Sequence, residues 1–378
     1  MRIALLTRSY PSEDNLYQYP FVHRRVVAYL AAGHAVKVIR LGATTGQHSF
    51  DGVECHTVTL ADFAAAVTGF SPDVVAVHGP DESIWPALRS LYGKWPVCGW
   101  LHGSEIPDFF RAKANCRPHD ERDGALAAVE HRAAFWRETL APWPDELSLT
   151  FVSECSIGMM ERDLAPSTLQ RDRIAVIPNP IDTSLFVHHA KTAAHRYRIL
   201  SIRPYDAVTY GNDMAVKAVH LLSRRPDFSA MRFTFVGDGP LFDDTLAPLR
   251  QFANVTIERR FLRQQEIARM HRDHGMFLVP TRLDTQGVSR DEAMASGLVP
   301  ITNTVCAVPE YVDADCAGLA GADDAAGLAD QIARMIDNPA LFLARSTAAA
   351  ARVRSQSGHE IVIPRELAWL DHCRQLVV

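Results

Sequence analysis

The stretch from Pro280 to Gly297 reads PTRLDTQGVSRDEAMASG and follows a short apolar run, Met276–Val279. The apolar run is typical of a buried parallel strand. A short loop then opens a helix, for which Ser289 is the predicted N-cap and Gly297 the predicted left-handed end. The stretch therefore predicts a strand, a loop and a helix N-terminus in direct succession, which indicates an α/β fold.

Two carboxylates, Asp284 and Glu292, lie in this loop and the first turns of its helix. A helix N-terminus offers free N–H groups and the positive end of the helix dipole, so it attracts anions. The loop would therefore suit a diphosphate with hydroxylated rings on either side. A simpler interpretation also stays open: Glu292 completes a capping box with Ser289, Asp284 is a solvated loop acid and Gly287 is a turn residue.

The two acids, with seven residues between them and the tail AMASGLVP after them, resemble the Glu-x7-Glu signature of GT-B glycosyltransferases of family 4. Members of that family are retaining enzymes that use nucleotide-activated sugars. The resemblance implies that Glu292 binds the ribose hydroxyls and Asp284, in place of the usual Glu, the transferred sugar. It also implies that the backbone amides of Gly287, Val288 and Ser289 face the diphosphate.

Length, composition and charge limit the possible classes of protein. The chain has 378 residues, 47% of them hydrophobic, which predicts two domains. No apolar stretch reaches about 18 residues, so no membrane span is predicted, and Met1–Thr7 fits a first strand better than a signal peptide. The seven cysteines are scattered, which favours a reduced, cytoplasmic protein without a zinc site.

The net charge is −5, and residues 1–185 contain 17 Lys and Arg against 22 Asp and Glu. A nucleic-acid-binding protein normally has a basic surface, so no nucleic-acid partner is predicted. Many relatives in the resembled family dock on anionic membranes through a basic N-terminal half. This chain has no such excess, so we expect at most weak peripheral association with the inner membrane face.

The N-terminal half alternates predicted strands and helices. The opening strand Ile3–Thr7, a helix from Phe21 to about Ala32 and the strand Ala35–Leu41 resemble the start of the family's first domain. Where the family commonly has a Gly-rich loop, this chain has Tyr17, Gln18 and Tyr19, and these aromatic residues are predicted to face the acceptor. Further strands are predicted at Val74–Val77, Val97–Leu101 and Leu149–Val152.

His102 comes directly after the predicted strand Val97–Leu101, at the end of a parallel strand where open α/β sheets bind ligands. The simpler alternative is a histidine that bonds to nearby backbone. The resemblance favours a functional role for His102, because family members often have a histidine at this position that contacts the donor sugar or the acceptor. The loop Asp108–Arg117 is predicted to form one wall of the acceptor site. The helix Asp120–Leu140 that follows it is predicted to have a packing role.

The run Ile174–Phe186 resembles the family signature Val-x-Pro-Asn-Gly-Val-Asp-x-x-x-Phe, with Pro180 in place of the Gly. We take it as the domain boundary. The predicted domains are an acceptor-binding domain at 1–186, a donor-binding domain at 187–362 and, at 363–378, a helix that packs back toward the first domain.

In the second domain, the strand Tyr197–Ile202 is followed by Arg203, which matches the Arg of the family's "Gly-Arg-Leu … Lys-Gly". The resemblance implies that Arg203 grips the diphosphate, for which its planar fork is well suited. Tyr210 occupies the position of the family's Lys. Asn212 is the predicted cap of the helix that follows.

Two further segments of the second domain are candidate nucleotide contacts. Gly237 and Gly239, in the turn after the predicted strand Phe233–Val236, would let backbone approach a ligand, although any strand end can carry such a turn. The resemblance implies that the backbone near Arg263 holds the nucleobase.

These observations predict an α/β protein of GT-B architecture: two facing Rossmann-like domains with a C-terminal helix that crosses back onto the first. The implied reaction is transfer of a hexose-type sugar, with retention, from a nucleotide diphosphate sugar to a sugar, glycan or glycolipid hydroxyl. His102, Asp284 and Arg203 are the predicted catalytic residues. The resemblance requires neither a cofactor nor a metal ion, and family habit suggests polysaccharide, glycolipid or glycoconjugate biosynthesis.

Two alternatives remain. A NAD-dependent oxidoreductase would use the first Rossmann-like half, but no Gly-x-Gly-x-x-Gly follows the first strand. A GT-B protein that binds a nucleotide sugar without transfer, or an epimerase-like relative, is kept open by Asp284 and Tyr210, the two departures from the family pattern.

Overall fold

The computed structural model describes residues 1–16, 18–107, 119–164 and 168–376, with the backbone alone over 119–123. The predicted acceptor wall Asp108–Arg117 and the aromatic residue Tyr17 lie outside them. The described residues form two compact units. The first contains residues 1–107, 119–180 and 362–376, and the second contains residues 181–361.

The described part of the first unit contains one eight-stranded sheet with helices between its strands. The strands are β1 (Arg2–Thr7), β2 (Ala35–Leu41), β3 (Gly46–Phe50), β4 (Val53–Val58), β5 (Val74–His78), β6 (Val97–Leu101), β7 (Leu147–Phe151) and β8 (Ile174–Val176). The helices are α1 (Pro20–Ala31), α2 (Leu60–Phe70), α3 (Trp85–Arg89), α4 (His119–Thr139) and α5 (Glu154–Leu164).

The order in this sheet is β3-β4-β2-β1-β5-β6-β7-β8, and every neighbouring pair is parallel except the hairpin of β3 and β4. Strands β5, β6 and β7 are buried along their whole length. Parallel strands covered on both faces are mostly apolar, which explains why these three strands could be predicted from the sequence. The missed hairpin strand β3 is mostly exposed and polar.

The second unit contains a six-stranded parallel sheet. Its strands are β9 (Arg198–Ile202), β10 (Arg232–Gly237), β11 (Val255–Arg259), β12 (Met276–Leu278), β13 (Val299–Asn303) and β14 (Gly318–Ala320). Its helices are α6 (Asn212–Leu222), α7 (Phe242–Leu246), α8 (Gln264–Asp273), α9 (Val288–Ala295), α10 (Val308–Tyr311), α11 (Ala325–Asp337) and α12 (Pro339–Gln356).

The last helix, α13 (His359–Gln375), adds side chains to the core of the first unit. Its residues Ile363, Leu370 and Cys373 pack in one apolar cluster with Ile3 and Trp100. None of the helices described for this chain is long and apolar enough to cross a membrane.

Two predicted helix caps are wrong. Helix α9 begins at Val288 with Gly287 as its N-cap, so Ser289 is already the second helical residue and no capping box forms with Glu292. Helix α6 begins at Asn212 itself, with Gly211 as the N-cap. Both capping glycines have positive φ angles, 98° and 64°, and this conformation starts each helix one or two residues earlier than the side-chain signals predicted.

The strand order of the second unit is β11-β10-β9-β12-β13-β14. The order reverses between β9 and β12, and open α/β sheets bind ligands at the carboxyl ends of strands that flank such a reversal. The loop with Arg203 follows β9, and the Pro280–Gly297 stretch follows β12. The topology therefore brings these two sequence motifs to the same edge of one sheet.

Candidate active site

Arg203 lies against the Pro280–Gly297 stretch, as the adjacency of β9 and β12 requires. Its Nη1 donates to Ser289 Oγ at 3.4 Å, and its Nη2 donates to the carbonyl oxygens of Pro280 and Tyr210 at 3.4 and 3.5 Å. All three bonds are long and go to neutral acceptors. The residue is only 6% exposed, and burial lowers the pKa of Arg203 although Asp284 opposes this shift.

Two neighbouring arginines are held by carboxylates. Arg282 donates from Nη1 and Nη2 to Asp213 at 2.8 and 2.9 Å and from Nε to Asp323 at 2.6 Å. Arg290 donates from Nε and Nη2 to Asp291 Oδ1 at 3.0 and 2.7 Å. Within the described part of the chain, no carboxylate lies within 4 Å of the Arg203 guanidinium, whose Nε also has no hydrogen-bond partner there.

Tyr210 packs on Arg203. The Arg203 Cζ lies 5.1 Å from the centre of the Tyr210 ring, which is a cation–π distance. The ring reaches this position because the short 3-10 turn Val208–Tyr210 ends at Gly211, where the chain turns with a positive φ into α6. The structure thus gives Tyr210 a packing role, and its predicted contact with a nucleotide remains a prediction.

The two acids of the signature differ in their surroundings. Asp284 is partly exposed, and its Oδ1 accepts the backbone N–H of Gln286 at 3.1 Å. Glu292 is only 4% exposed, inside α9. A third acid, Asp291, is buried between Arg290 and the Gln286 amide, and burial raises the pKa of Asp291. Sequence reasoning did not identify this buried pair, because two adjacent charged residues such as Arg290 and Asp291 are typical of a protein surface.

Contacts within the protein explain the glycines that were predicted to contact the nucleotide. A Cβ on Gly237 would lie 1.9 Å from the carbonyl oxygen of Arg203, and one on Gly239 would lie 2.5 Å from the carbonyl carbon of Tyr205. A Cβ on Gly287 would meet the Arg290 guanidinium at 2.9 Å. Close packing against backbone therefore requires glycine at Gly237 and Gly239, and the positive φ of Gly287 favours glycine there. The contact of these glycines with a ligand stays a prediction.

The backbone of Arg263 is occupied by the start of α8. Its N–H donates to Glu266 Oε2 at 2.9 Å, and its carbonyl oxygen accepts the N–H of Glu266 at 2.9 Å. A nucleobase that used this N–H would have to displace the Glu266 carboxylate. The base contact at Arg263 stays a prediction.

An Asp-x-Asp sequence occurs at Asp313–Asp315, but the first carboxylate is already engaged. Asp313 pairs with Arg352 and accepts the backbone N–H of Asp315 at 3.0 Å. Over the ranges that the structure describes, no group of three or more His, Cys, Asp or Glu side chains could hold a metal ion.

In the first unit, His102 follows β6 as predicted. Its Nε2 lies 3.1 Å from Nδ1 of His78, and its ring packs on Phe21 with the ring centres 4.5 Å apart. The Glu105 carboxylate accepts the backbone N–H groups of His102 and Gly103 at 2.9 and 3.0 Å and so fixes the loop. Burial, and then the charge of the nearby Arg25, lower the pKa of His102 well below its usual value, so the ring is neutral.

A pocket opens beside this loop. It is lined by Arg8, Asp81, Glu82, Ser104, Glu105, Ala128, His131, Arg132, Phe135 and Trp136. Arg8 pairs with Asp81 and donates from Nη2 to the Tyr19 hydroxyl at 2.6 Å. Sequence reasoning did not single out Arg8, Asp81, Glu105 or His78 as site residues. A usable signal existed, because each lies at or just beyond the end of a buried strand.

Residues 197–338 match a family model described as "Glycosyl transferases group 1". This segment contains Arg203, Tyr210, Asp284 and Glu292, and it spans the strands of the second sheet. No curated protein sequence matches the chain.

Solved structures resemble the chain over nearly its whole length. Sucrose-phosphate synthase from Thermosynechococcus elongatus has a TM-score of 0.73 at 16% identity, with 98% of each chain covered. Anabaena HepE, solved with UDP and glucose, has a TM-score of 0.70 at 12% identity, over 98% of this chain and 100% of that one. Trehalose-6-phosphate synthase OtsA has a TM-score of 0.69 at 12% identity and 99% coverage of both chains. Such identities show the fold alone, and they confirm the predicted α/β class and GT-B fold.

Proposed function

We propose that this protein is a retaining glycosyltransferase whose second unit binds a nucleotide diphosphate sugar and whose first unit binds the acceptor. One observation carries the proposal: Arg203 is a buried cation without a carboxylate partner in the described chain. It lies where the strand order reverses, within the segment that matches the group 1 glycosyltransferase model. A buried charge left without a counter-ion is costly, and a bound diphosphate would supply one.

The chemistry requires the leaving nucleoside diphosphate to be stabilised as the glycosidic bond breaks. Arg203 and the N–H groups at the start of α9 would meet that developing charge. The planar guanidinium of Arg203 can donate two parallel hydrogen bonds to phosphate oxygens. These bonds would replace its three long hydrogen bonds to neutral acceptors. Glu292 would bind the ribose and Asp284 the transferred sugar, and no side chain is assigned as a covalent nucleophile.

The pocket beside His102 is the proposed acceptor site. It combines the aromatic rings of Phe135 and Trp136 with charged groups such as Arg8 and Glu105. Aromatic faces and directional polar groups together suit a sugar hydroxyl acceptor. We further propose a cytoplasmic location, which the six described cysteines support because all of them are free.

The direct experiment is incubation with UDP-, GDP-, ADP- and TDP-sugars, alone and with candidate sugar acceptors, followed by detection of free nucleoside diphosphate. A thermal-shift screen of the same donors identifies the base, since a ligand at 100 times its Kd stabilises the fold by about 2.7 kcal/mol. Donor-dependent stabilisation with release of nucleoside diphosphate and transfer to an acceptor supports the proposal.

Other outcomes would point elsewhere. Donor binding without release would favour a nucleotide-sugar-binding protein, and an altered sugar without transfer would favour an epimerase-like relative. Stabilisation by NAD(H) and by none of the donors would overturn the proposal in favour of an oxidoreductase.

A further inference from the structure

The start of α6 places the side chain of Asn212 between the two loops that follow β9 and β12 in the second unit. Asn212 Nδ2 donates to the carbonyl oxygen of Pro204, the residue after Arg203, at 2.9 Å. The preceding residue, Gly211, packs on the other loop, because a Cβ there would lie 3.1 Å from the carbonyl carbon of Pro280. Asn212 therefore lies at the same edge of the sheet as Arg203.

The amide of Asn212 has a buried oxygen without a partner. The residue is 7% exposed, and its Oδ1 makes no hydrogen bond with any residue that the structure describes. The orientation of the amide is fixed, because the Pro204 carbonyl can only accept and so faces the amide nitrogen. Nor does the oxygen cap α6, whose N-cap is Gly211. A buried oxygen in this condition is costly unless a hydrogen-bond donor reaches it.

The diphosphate of a nucleotide sugar cannot supply the missing donor. Ionised phosphate oxygens only accept hydrogen bonds, so they suit the guanidinium of Arg203 but not Asn212 Oδ1. A hydroxyl can donate, and a nucleotide diphosphate sugar has hydroxyls on both sides of its diphosphate, on the ribose and on the sugar. The cation of Arg203 and the oxygen of Asn212 thus suit neighbouring parts of one ligand.

We propose that Asn212 binds a hydroxyl group of the nucleotide sugar through its Oδ1. This role rests on the proposed function, and it belongs to a residue that the sequence offered only as a helix cap. A site with a buried acceptor for a hydroxyl discriminates against ligands that lack the hydroxyl, because the acceptor is then left unpaired. Asn212 therefore contributes to the selection of the donor as well as to its affinity.

The experiment combines a change in the protein with a change in the ligand. Asn212→Leu removes the oxygen at similar volume, and Asn212→Ala removes it with less bulk. The probes are UDP, GDP and ADP with their 2′- and 3′-deoxyribose forms, and the glucose and mannose conjugates of these nucleotides with their deoxy-sugar forms. Calorimetry gives the Kd of each probe for the full-length protein and both variants, and urea titrations check that each variant folds.

The expected result is a dependence on one hydroxyl that disappears with the Asn212 oxygen. At one deoxy position, loss of the ligand hydroxyl should cost the unaltered protein about tenfold in affinity and cost Asn212→Leu less than about twofold. A 2′ or 3′ position identifies the ribose as the source of the hydroxyl, and a position on the glucose or mannose identifies the transferred sugar.

The matched control is Gln331→Leu on α11. Gln331 also has an amide oxygen, Oε1, without a partner in the described part of the chain, but the residue is only partly buried. It packs on Gly318, the first residue of β14, away from the edge where Arg203 lies. Its replacement should leave every Kd within about twofold of the unaltered protein.

Two results would overturn the proposal while the proposed function stands. Equal losses for hydroxyl and deoxy probes in the variants would give Asn212 a structural role beside Pro204, and unchanged affinities would leave only a water molecule on its oxygen. In both cases the unaltered protein still binds nucleotide sugars. Failure of the unaltered protein to bind any probe would instead refute the proposed function, and this role of Asn212 with it.

Discussion

Replacing Arg203 by Ala removes the cation that we expect to bind the diphosphate. The residue donates to three neutral oxygens at 3.4–3.5 Å, so few strong interactions oppose its turning to a ligand. A charge-assisted hydrogen bond contributes about 1.5–3 kcal/mol, and the guanidinium fork can form two. The loss of about 3–6 kcal/mol of transition-state stabilisation lowers kcat/KM by roughly 10²- to 10⁴-fold. Arg203→Lys should also have a low kcat/KM, since the point charge of a lysine cannot reproduce the planar, two-donor geometry of the guanidinium.

The matched control is Arg282→Ala, which removes an arginine from the neighbouring Pro280–Gly297 stretch, at the same edge of the sheet. Arg282 is bound to Asp213 and Asp323, and we expect its loss to lower stability by about 1 kcal/mol while nucleotide affinity stays within about threefold. The measurements are calorimetric Kd values for the nucleoside diphosphate and initial rates at several donor concentrations. If Arg203→Ala keeps more than about a tenth of kcat/KM, a deficit below about 1.4 kcal/mol, Arg203 is not the principal phosphate ligand. The cation would then have to be sought at Arg282 or Arg290.

Three further predictions concern other residues. Glu292→Gln should weaken the donor and the free nucleoside diphosphate alike, while Asp284→Asn should mainly lower turnover; equal losses of nucleotide affinity in both variants would refute this division. Tyr210→Phe should leave kcat/KM within about twofold, because the ring under Arg203 is retained; a large loss would assign a role to the hydroxyl. Burial lowers the pKa of His271 from 6.5 to about 3, so the unfolded chain binds the extra proton below pH 6.5. The free energy of unfolding should therefore fall by about 1.4 kcal/mol for this residue between pH 7.5 and 5.5, and urea titrations of His271→Phe should show a weaker pH dependence.

The fold could be predicted where the local sequence alone determines an element. The strands Ala35–Leu41 and Val97–Leu101 have the predicted bounds, because short runs with apolar residues between turn signals need no tertiary information. The helix starts at Ser289 and Asn212 were predicted wrongly because side-chain capping signals were weighed above the glycines that precede them. Positive-φ glycines at Gly287 and Gly211 begin these helices instead.

The charge network could not be predicted from the sequence. Arg25 and Glu366 are 341 positions apart, and Arg282 and Asp213 are 69 apart. A sequence shows which residues carry charge, but only the packing of distant elements decides which charges meet. Arg203 and Arg282 illustrate this point. The described hydrogen bonds of Arg203 go to neutral oxygens, whereas the guanidinium of Arg282 is already held in ion pairs. The resemblance implied Arg203 as the phosphate ligand, but nothing in the sequence showed that Arg282 is held by two carboxylates.

The discontinuity of the first unit has a consequence for how the protein is made. Residues 1–180 leave the ribosome before the second unit, yet the carboxylate partner of the buried Arg25 is supplied by Glu366, on a helix that follows the second unit in the chain. Residues 181–361, which form the second unit, are all synthesised before that helix is complete. The first unit therefore cannot form this buried ion pair until the whole second unit has been synthesised, and until then a nascent chain carries an arginine whose burial has no counter-ion.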